Sequence, residues 1–181
     1  ATGGRTASWC RAGTSWRLLS QSAGGGREVE YYDTVEDLFS AAPLLVRGTV
    51  TQVDFSQLID DPQVDQPYRD ILLTITPIEE AGQSQTRSAP VVVQMGPFFG
   101  PEAEDRVKQM TSGPAKLLGD EAIWALRPRD DGPTYRPLTS DSVFVRNGDA
   151  VLTALAGDTP IRHETESMTW QQLVRSAELT A

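Results

Sequence analysis

The chain is short of the residues that staple or metal-load small domains. Its 181 residues include one cysteine, Cys10, and one histidine, His163. A single cysteine excludes an intrachain disulfide and any zinc site built from several thiolates. Cys10 is therefore an idle thiol or a link between chains. A single histidine leaves one candidate base for a Ser–His pair, and no Gly-x-Ser-x-Gly elbow accompanies it. Walker and Gly-x-Gly-x-x-Gly loops are missing too, so nothing marks a nucleotide-phosphate cradle. No window approaches the ~18 apolar residues of a membrane span. The N-terminus has no apolar core of a signal peptide.

Acid is missing from the first 27 residues. Arg5, Arg11, Arg17 and Arg27 precede the first acid, Glu28. Net charge is −9 overall, and from Glu28 onward the other 12 basic residues face all 25 acids, a balance of −13. Residues 1–27, rich in Gly, Ser, Thr, Ala and Arg and carrying Trp9 and Trp16, read as a basic arm ending in a Gly hinge. Residues 28–181 read as one acidic β domain, large enough to bury a core unaided. So acidic a body repels nucleic-acid phosphates and anionic lipid, and neither is an expected partner.

Twelve prolines and fifteen glycines favour short strands and turns over a helical bundle. The pattern predicts a short helix over 34–42, with Thr34 as N-cap and Pro43 as stop. A strand follows over 44–54, and Gly48 within it marks a bulge or tight bend. Residues 55–67 read as a loop. A second strand covers 68–78, with Pro77 at an edge or bulge, and 79–88 reads as a turn. A third strand over 89–95 is broken by Gly96-Pro97, and 102–110 reads as a helical insertion. A fourth strand covers 120–128 and, after the turn 129–133, pairs with a short strand at 135–138. Residues 142–152 form a hairpin about Asn147-Gly148, the signal of a type I′ turn. Residues 156–167 read as a loop. A last helix begins at the capping box Thr169–Gln172, with Trp170, Leu173 and Val174 as its apolar stripe. These elements predict a mainly β fold: a small antiparallel, OB-like barrel or sandwich with a short N-terminal helix and a C-terminal capping helix.

Clusters of candidate ligands are thin. His163, Glu164 and Glu166 are neighbours on one predicted loop, whereas zinc sites usually draw on separate elements. Asp60, Asp61 and Asp65, or Asp130 and Asp131, do not match a calcium loop. No metal, cofactor or catalytic residue is expected.

The segment 37–53, a short helix running into the strand Leu44-Leu45-Val46-Arg47-Gly48-Thr49-Val50, resembles the opening of secreted and lipid-anchored small β-barrel proteins of high-GC Gram-positive bacteria. Residues 67–75 resemble their next strand, and 118–126 a late one. The likeness covers 34–152 and is carried by structural motifs. It implies an OB-like or netrin-like barrel placed outside the cell or in its envelope. It lends no catalytic residue. Netrin-like inhibitors act through a disulfide-anchored N-terminal cysteine, and Ala1 and the lone Cys10 do not fit that role.

The expectation is thus a non-enzymatic extracellular or envelope protein. Arg5, Trp9, Arg11, Trp16 and Arg17 are its candidate partner-binding residues, toward another protein or further copies of itself in a homo-oligomer, because Trp and Arg dominate interface hot spots. The alternative is a monomeric barrel that takes a small ligand or glycan in its mouth, with Phe98, Phe99 and Trp124 as platforms. Against this stands the reading that Trp124 is core and that Phe98-Phe99 cover a barrel end.

Overall fold

The computed structural model describes residues 31–63, 65–82, 89–99, 108, 118–139, 141–153 and 159–179. Its elements are α1 (Val35–Ala41), β1 (Leu44–Phe55), β2 (Tyr68–Gly82), β3 (Val91–Phe99), β4 (Glu121–Pro128), β5 (Tyr135–Pro137), β6 (Val143–Asn147), β7 (Ala150–Thr153), α2 (Pro160–Glu166) and α3 (Trp170–Ser176). Strands neighbour one another in the order β1, β2, β3, β5, β4, and β4 pairs back onto β1. That pairing closes a five-stranded barrel, as the sequence led us to expect. The β3–β5 contact is parallel, at Val93 and Tyr135, while the other barrel pairings are antiparallel. The β6–β7 hairpin extends the sheet beyond β4.

The run Ala122-Ile123-Trp124-Ala125-Leu126 explains how barrel and helices fit together. A strand apolar at every position must be covered on both faces. Ala122, Trp124 and Leu126 point into the barrel, against Val46, Val50, Ile71, Leu73, Val93 and Tyr135. Ile123 and Ala125 point outward, into a second core built with Val35, Leu38 and Phe39 of α1, Trp170, Leu173 and Val174 of α3, and Phe144 of β6. Phe39 and Phe144 meet edge to face there, with ring centroids 5.5 Å apart. Each fully buried side chain of this size contributes about 1.5–3 kcal/mol of hydrophobic stabilisation, so the two layers depend on one strand.

β4 also shares one edge between β5 and β6. The Ala125 carbonyl accepts from the Leu138 amide, and the Ala125 amide donates to the Ser142 carbonyl, each at 2.9 Å. Between these bonds the chain steps out of the sheet. The buried Ser142 hydroxyl accepts from the Thr139 amide at 2.6 Å and lies 3.0 Å from the Thr139 hydroxyl. Polar backbone is thereby satisfied where the ladder is interrupted.

The helices are short and fixed at their first turns. Thr34 accepts from the Asp37 amide at 3.1 Å. The Val35 amide donates to the carboxylate of Glu164, on α2, at 2.8 Å, so a residue distant in sequence caps α1. The Thr169–Gln172 capping box is formed in both directions. Residues 160–166, expected as loop, are helical instead. Thr159 accepts from the Arg162 amide and Pro160 occupies the first turn, a start signal that outweighed the polar composition.

Three further expectations are corrected. β2 does not end near residue 78: it runs to Gly82, because Leu44–Arg47 of β1 pair with Glu79–Gly82. β3 does not stop at Gly96-Pro97: the register shifts between Arg69 and Ile71 of β2, and pairing resumes at Phe98 and Phe99. The β6–β7 turn pairs Asn147 with Ala150, which puts Gly148 and Asp149 at its tip. Gly148 has φ +64°, and Glu178 is the described non-glycine residue with positive φ. A positive φ at the first tip position alone defines a type II′ turn, so register decided the turn type. The expected insertion at 102–110 lies outside the described residues, save Lys108, which is helical.

Gly48 sits at the expected irregularity. The register shifts between Arg47 and Gly48, and Ile78 of β2 is skipped. A Cβ on Gly48 would lie 2.6 Å from the Thr76 carbonyl oxygen and 2.7 Å from Ile75 Cγ2. Backbone cannot yield there as a side-chain tip would. Gly48→Ala is therefore expected to destabilise the protein by about 1–3 kcal/mol, read as a lower urea midpoint with unchanged slope. A change within about 0.5 kcal/mol, the scatter of a neutral surface substitution, would show that β1 and β2 are not held this closely.

Candidate functional site

Along β2 the inward positions are Ile71, Leu73 and Ile75. Alternation turns Asp70 to the outer face, where a carboxylate is ordinarily solvated. Asp70 is buried all the same. Gln94 Nε2, on β3, donates to its Oδ2. Thr134, just before β5, donates to the Gln94 side-chain oxygen at 3.1 Å. On the loop side, the Asp70 amide donates to the Ser56 hydroxyl at 2.9 Å and the Ser56 amide to the Asp70 carbonyl at 2.8 Å. Gly96 leaves the room this requires, since a Cβ there would run into the Asp70 carboxylate. A polar relay thus crosses the outer face of β2, β3 and the start of β5.

Beside it, the β4–β5 turn encloses an open cleft of about 310 Å³ lined by Pro128, Arg129, Asp130, Asp131 and Arg136. Arg129 donates to both carboxylate oxygens of Asp131, at 2.9 and 2.8 Å. Those bonds raise the Arg129 pKa above its ordinary value, aided by the charge of Asp131 and, more weakly, of Asp70 and Tyr68. They also hold the exposed Asp131 below the ordinary carboxylate value. Arg136 is exposed at the cleft wall, with no ion pair among the described residues.

A second charged group ties the rim of the helix layer together. Glu121 on β4 accepts from Arg47 of β1 at 2.7 Å and from Arg146 of β6 at 2.8 Å. Arg47 also reaches Glu79 of β2, at 4.0 Å. The Arg146 guanidinium lies over the Trp170 ring, 6.0 Å from its centroid. Burial alone would push the Glu121 carboxyl up, but the hydrogen bonds and charges of Arg146 and Arg47 outweigh it and hold the pKa below its usual value.

Of the residues singled out in the sequence, Asp130 and Asp131 line the cleft. Arg5, Trp9, Arg11, Trp16, Arg17 and Cys10 lie outside the described residues. Phe98 and Trp124 pack inside the barrel, Trp124 wholly so. The outward positions of β3 and β4 are taken by other residues, and neither ring offers a face to a ligand. Phe99 ends β3 opposite Tyr68, and its side chain is outside the described part. His163, Glu164 and Glu166 stand on α2 rather than on a loop: Glu164 caps α1 and Glu166 pairs with Arg162 at 3.0 Å. Among the described residues no three His, Cys, Asp or Glu side chains are grouped to hold a metal ion. Sequence reasoning missed Asp70, Gln94 and Thr134. The available signal was an acid beginning the alternation Ile71, Leu73, Ile75 and a glycine two residues after Gln94.

No family model, curated protein or solved structure matches this chain significantly.

The Glu121 cluster has a pH signature. Its folded-state pKa lies below the ordinary 4.5, so its stabilisation is full above that value and is lost as pH falls through the folded pKa. At pH 7, Glu121→Gln should cost roughly 1–2 kcal/mol after discounting for solvent screening. The gap between the two proteins should narrow in acid below about pH 4.5. Urea titrations at a series of pH values measure it, and a gap independent of pH would show that the ion pairs contribute nothing.

Proposed function

We propose that the chain is a non-enzymatic binding protein of the extracellular space or cell envelope, which assembles with protein through its basic segment 1–27. The observation that carries this reading is the division of charge. Four arginines with no acid, together with Trp9 and Trp16, precede a stretch of balance −13. Opposite potentials of this kind speed encounter and set orientation, and Trp and Arg supply most of the energy at interface centres. Exposed acids for such an arm to meet include Asp33, Glu36 and Asp37 at α1, Asp54 at the end of β1, and Asp60 and Asp65 after it. The packed barrel interior directs recognition to the outer surface. The partner is a second copy of the chain or another subunit. The placement outside the cell rests on the resemblance of residues 34–152.

A second reading is favoured by the cleft at the β4–β5 turn. OB-like barrels as a class take oligosaccharides on the outer face of their second and third strands and on the loop between the fourth and fifth. Here that region carries the Asp70–Gln94–Thr134 relay and the open wall with Arg136. By fold-level analogy, the glycan or small-ligand site then lies on this outer face and not in the barrel mouth.

Light scattering on the full chain and on a chain starting at Glu28, at low and high salt, separates the two. Assembly of the full chain alone, loosened by salt, is the expected outcome. If both forms are monomers at every salt concentration, the arm does not drive self-assembly and the outer cleft becomes the leading site.

A further inference from the structure

The seams of the barrel are unequal. β1 and β2 pair from Leu44 and Gly82 to Phe55 and Ile71, through register shifts at Arg47/Gly48 and Val50/Gln52. β1 and β4 pair without a shift from Leu44 and Leu126 to Thr49 and Glu121, and β2 and β3 pair over most of β3 with one shift, between Arg69 and Ile71. β3 and β5 meet through the single pair Val93–Tyr135. Parallel pairing is also the weaker kind per residue. What reinforces this seam is made of side chains. Gln94 follows Val93 and Thr134 precedes Tyr135, and the hydrogen bond between them spans the seam on its outer side. Asp70 anchors Gln94 from behind, on β2. On the inner side, Val93 and Tyr135 are both buried in the barrel core.

We infer that the closed barrel opens locally at the β3–β5 seam, and that Asp70, Gln94 and Thr134 are the latch that keeps it shut. Local opening follows the least-bonded boundary of a fold and precedes global unfolding. When this seam parts, Val93 and Tyr135 are the first core side chains exposed, while Val46, paired to β2 and β4 on both edges, stays covered. The latch makes an otherwise solid barrel a conditional one: its interior is reached from one side, at a cost set by two side-chain hydrogen bonds. This inference is independent of the assembly proposed above.

Thiol labelling tests it. In the full chain carrying Cys10→Ser, Val93→Cys and Val46→Cys are made separately, and their reaction with a thiol reagent is timed under native conditions. Val93→Cys should label well ahead of Val46→Cys. Adding Thr134→Val, which keeps the shape and removes the donor, should speed labelling at 93 about three- to tenfold and leave 46 unchanged. Equal labelling at both positions, or equal acceleration of both by Thr134→Val, would overturn the inference, since opening would then be global. If a cysteine variant fails to fold, amide exchange in the unsubstituted protein decides the matter. The Tyr135 amide should exchange ahead of those of Val46 and Trp124, and simultaneous exchange of all three would sink the latch.

Discussion

The fold depends on a strand that has no solvent face. β4 gives Trp124 to the barrel and Ile123 and Ala125 to the helix layer. Its edges are used as fully, by β1 on one side and by β5 and β6 in turn on the other. The constraint propagates outward. β1 must bring Leu44, Val46 and Val50 inward while Leu45 reaches the helices, so it too is buried on both faces over its first half. α1, α2 and α3 are each seven residues long, too short to persist alone in water. They are held by the apolar side chains that β4 and β6 present and by caps such as Glu164 on Val35.

A filled barrel narrows what the molecule can recognise and how. With Phe98, Trp124 and Tyr135 committed to the core, the proposed recognition is assigned to the outer surface and to the charged segment 1–27. The outer polar groups differ in kind. The Arg47–Glu79–Glu121–Arg146 group links four strands and serves cohesion. The Asp70–Gln94–Thr134 relay lies at the thinnest seam of the barrel and next to the cleft of the β4–β5 turn.

Much of the fold was legible because its signals are local. The alternation of β1, the continuous apolar run of β4, the glycine at the β1 bulge and the capping box at Thr169 each act within a few residues. Misreadings arose where a distant partner overrode a local signal. Gly96-Pro97 punctuates the sequence, yet β3 continues because Arg69 and Tyr68 wait across the bulge. Glu79 and Glu80 look like turn residues, yet β1 keeps them in the sheet and Arg47 meets Glu79. Residues 160–166 carry a start signal with only Ile161 and Thr165 buried, so no apolar stripe announced the helix. The candidate site was the least legible part. Asp70 and Gln94 come from two strands and Thr134 from the turn before a third, with no shared spacing, and only barrel closure makes them neighbours. Trp124 had two readings in the sequence, and burial decided for the core.

The claim that one strand holds both cores together is tested most directly by unfolding them in the same tube. In protein labelled with 5-fluorotryptophan, Trp124 reports on the barrel and Trp170 on the helix layer. Fluorine NMR through a urea titration follows both. If β4 is the shared wall, the two native signals vanish at one midpoint, as cooperative unfolding of a single unit requires. Loss of the Trp170 signal at clearly lower urea, with Trp124 still native, would mean that the helix layer is an accessory resting on an independent barrel.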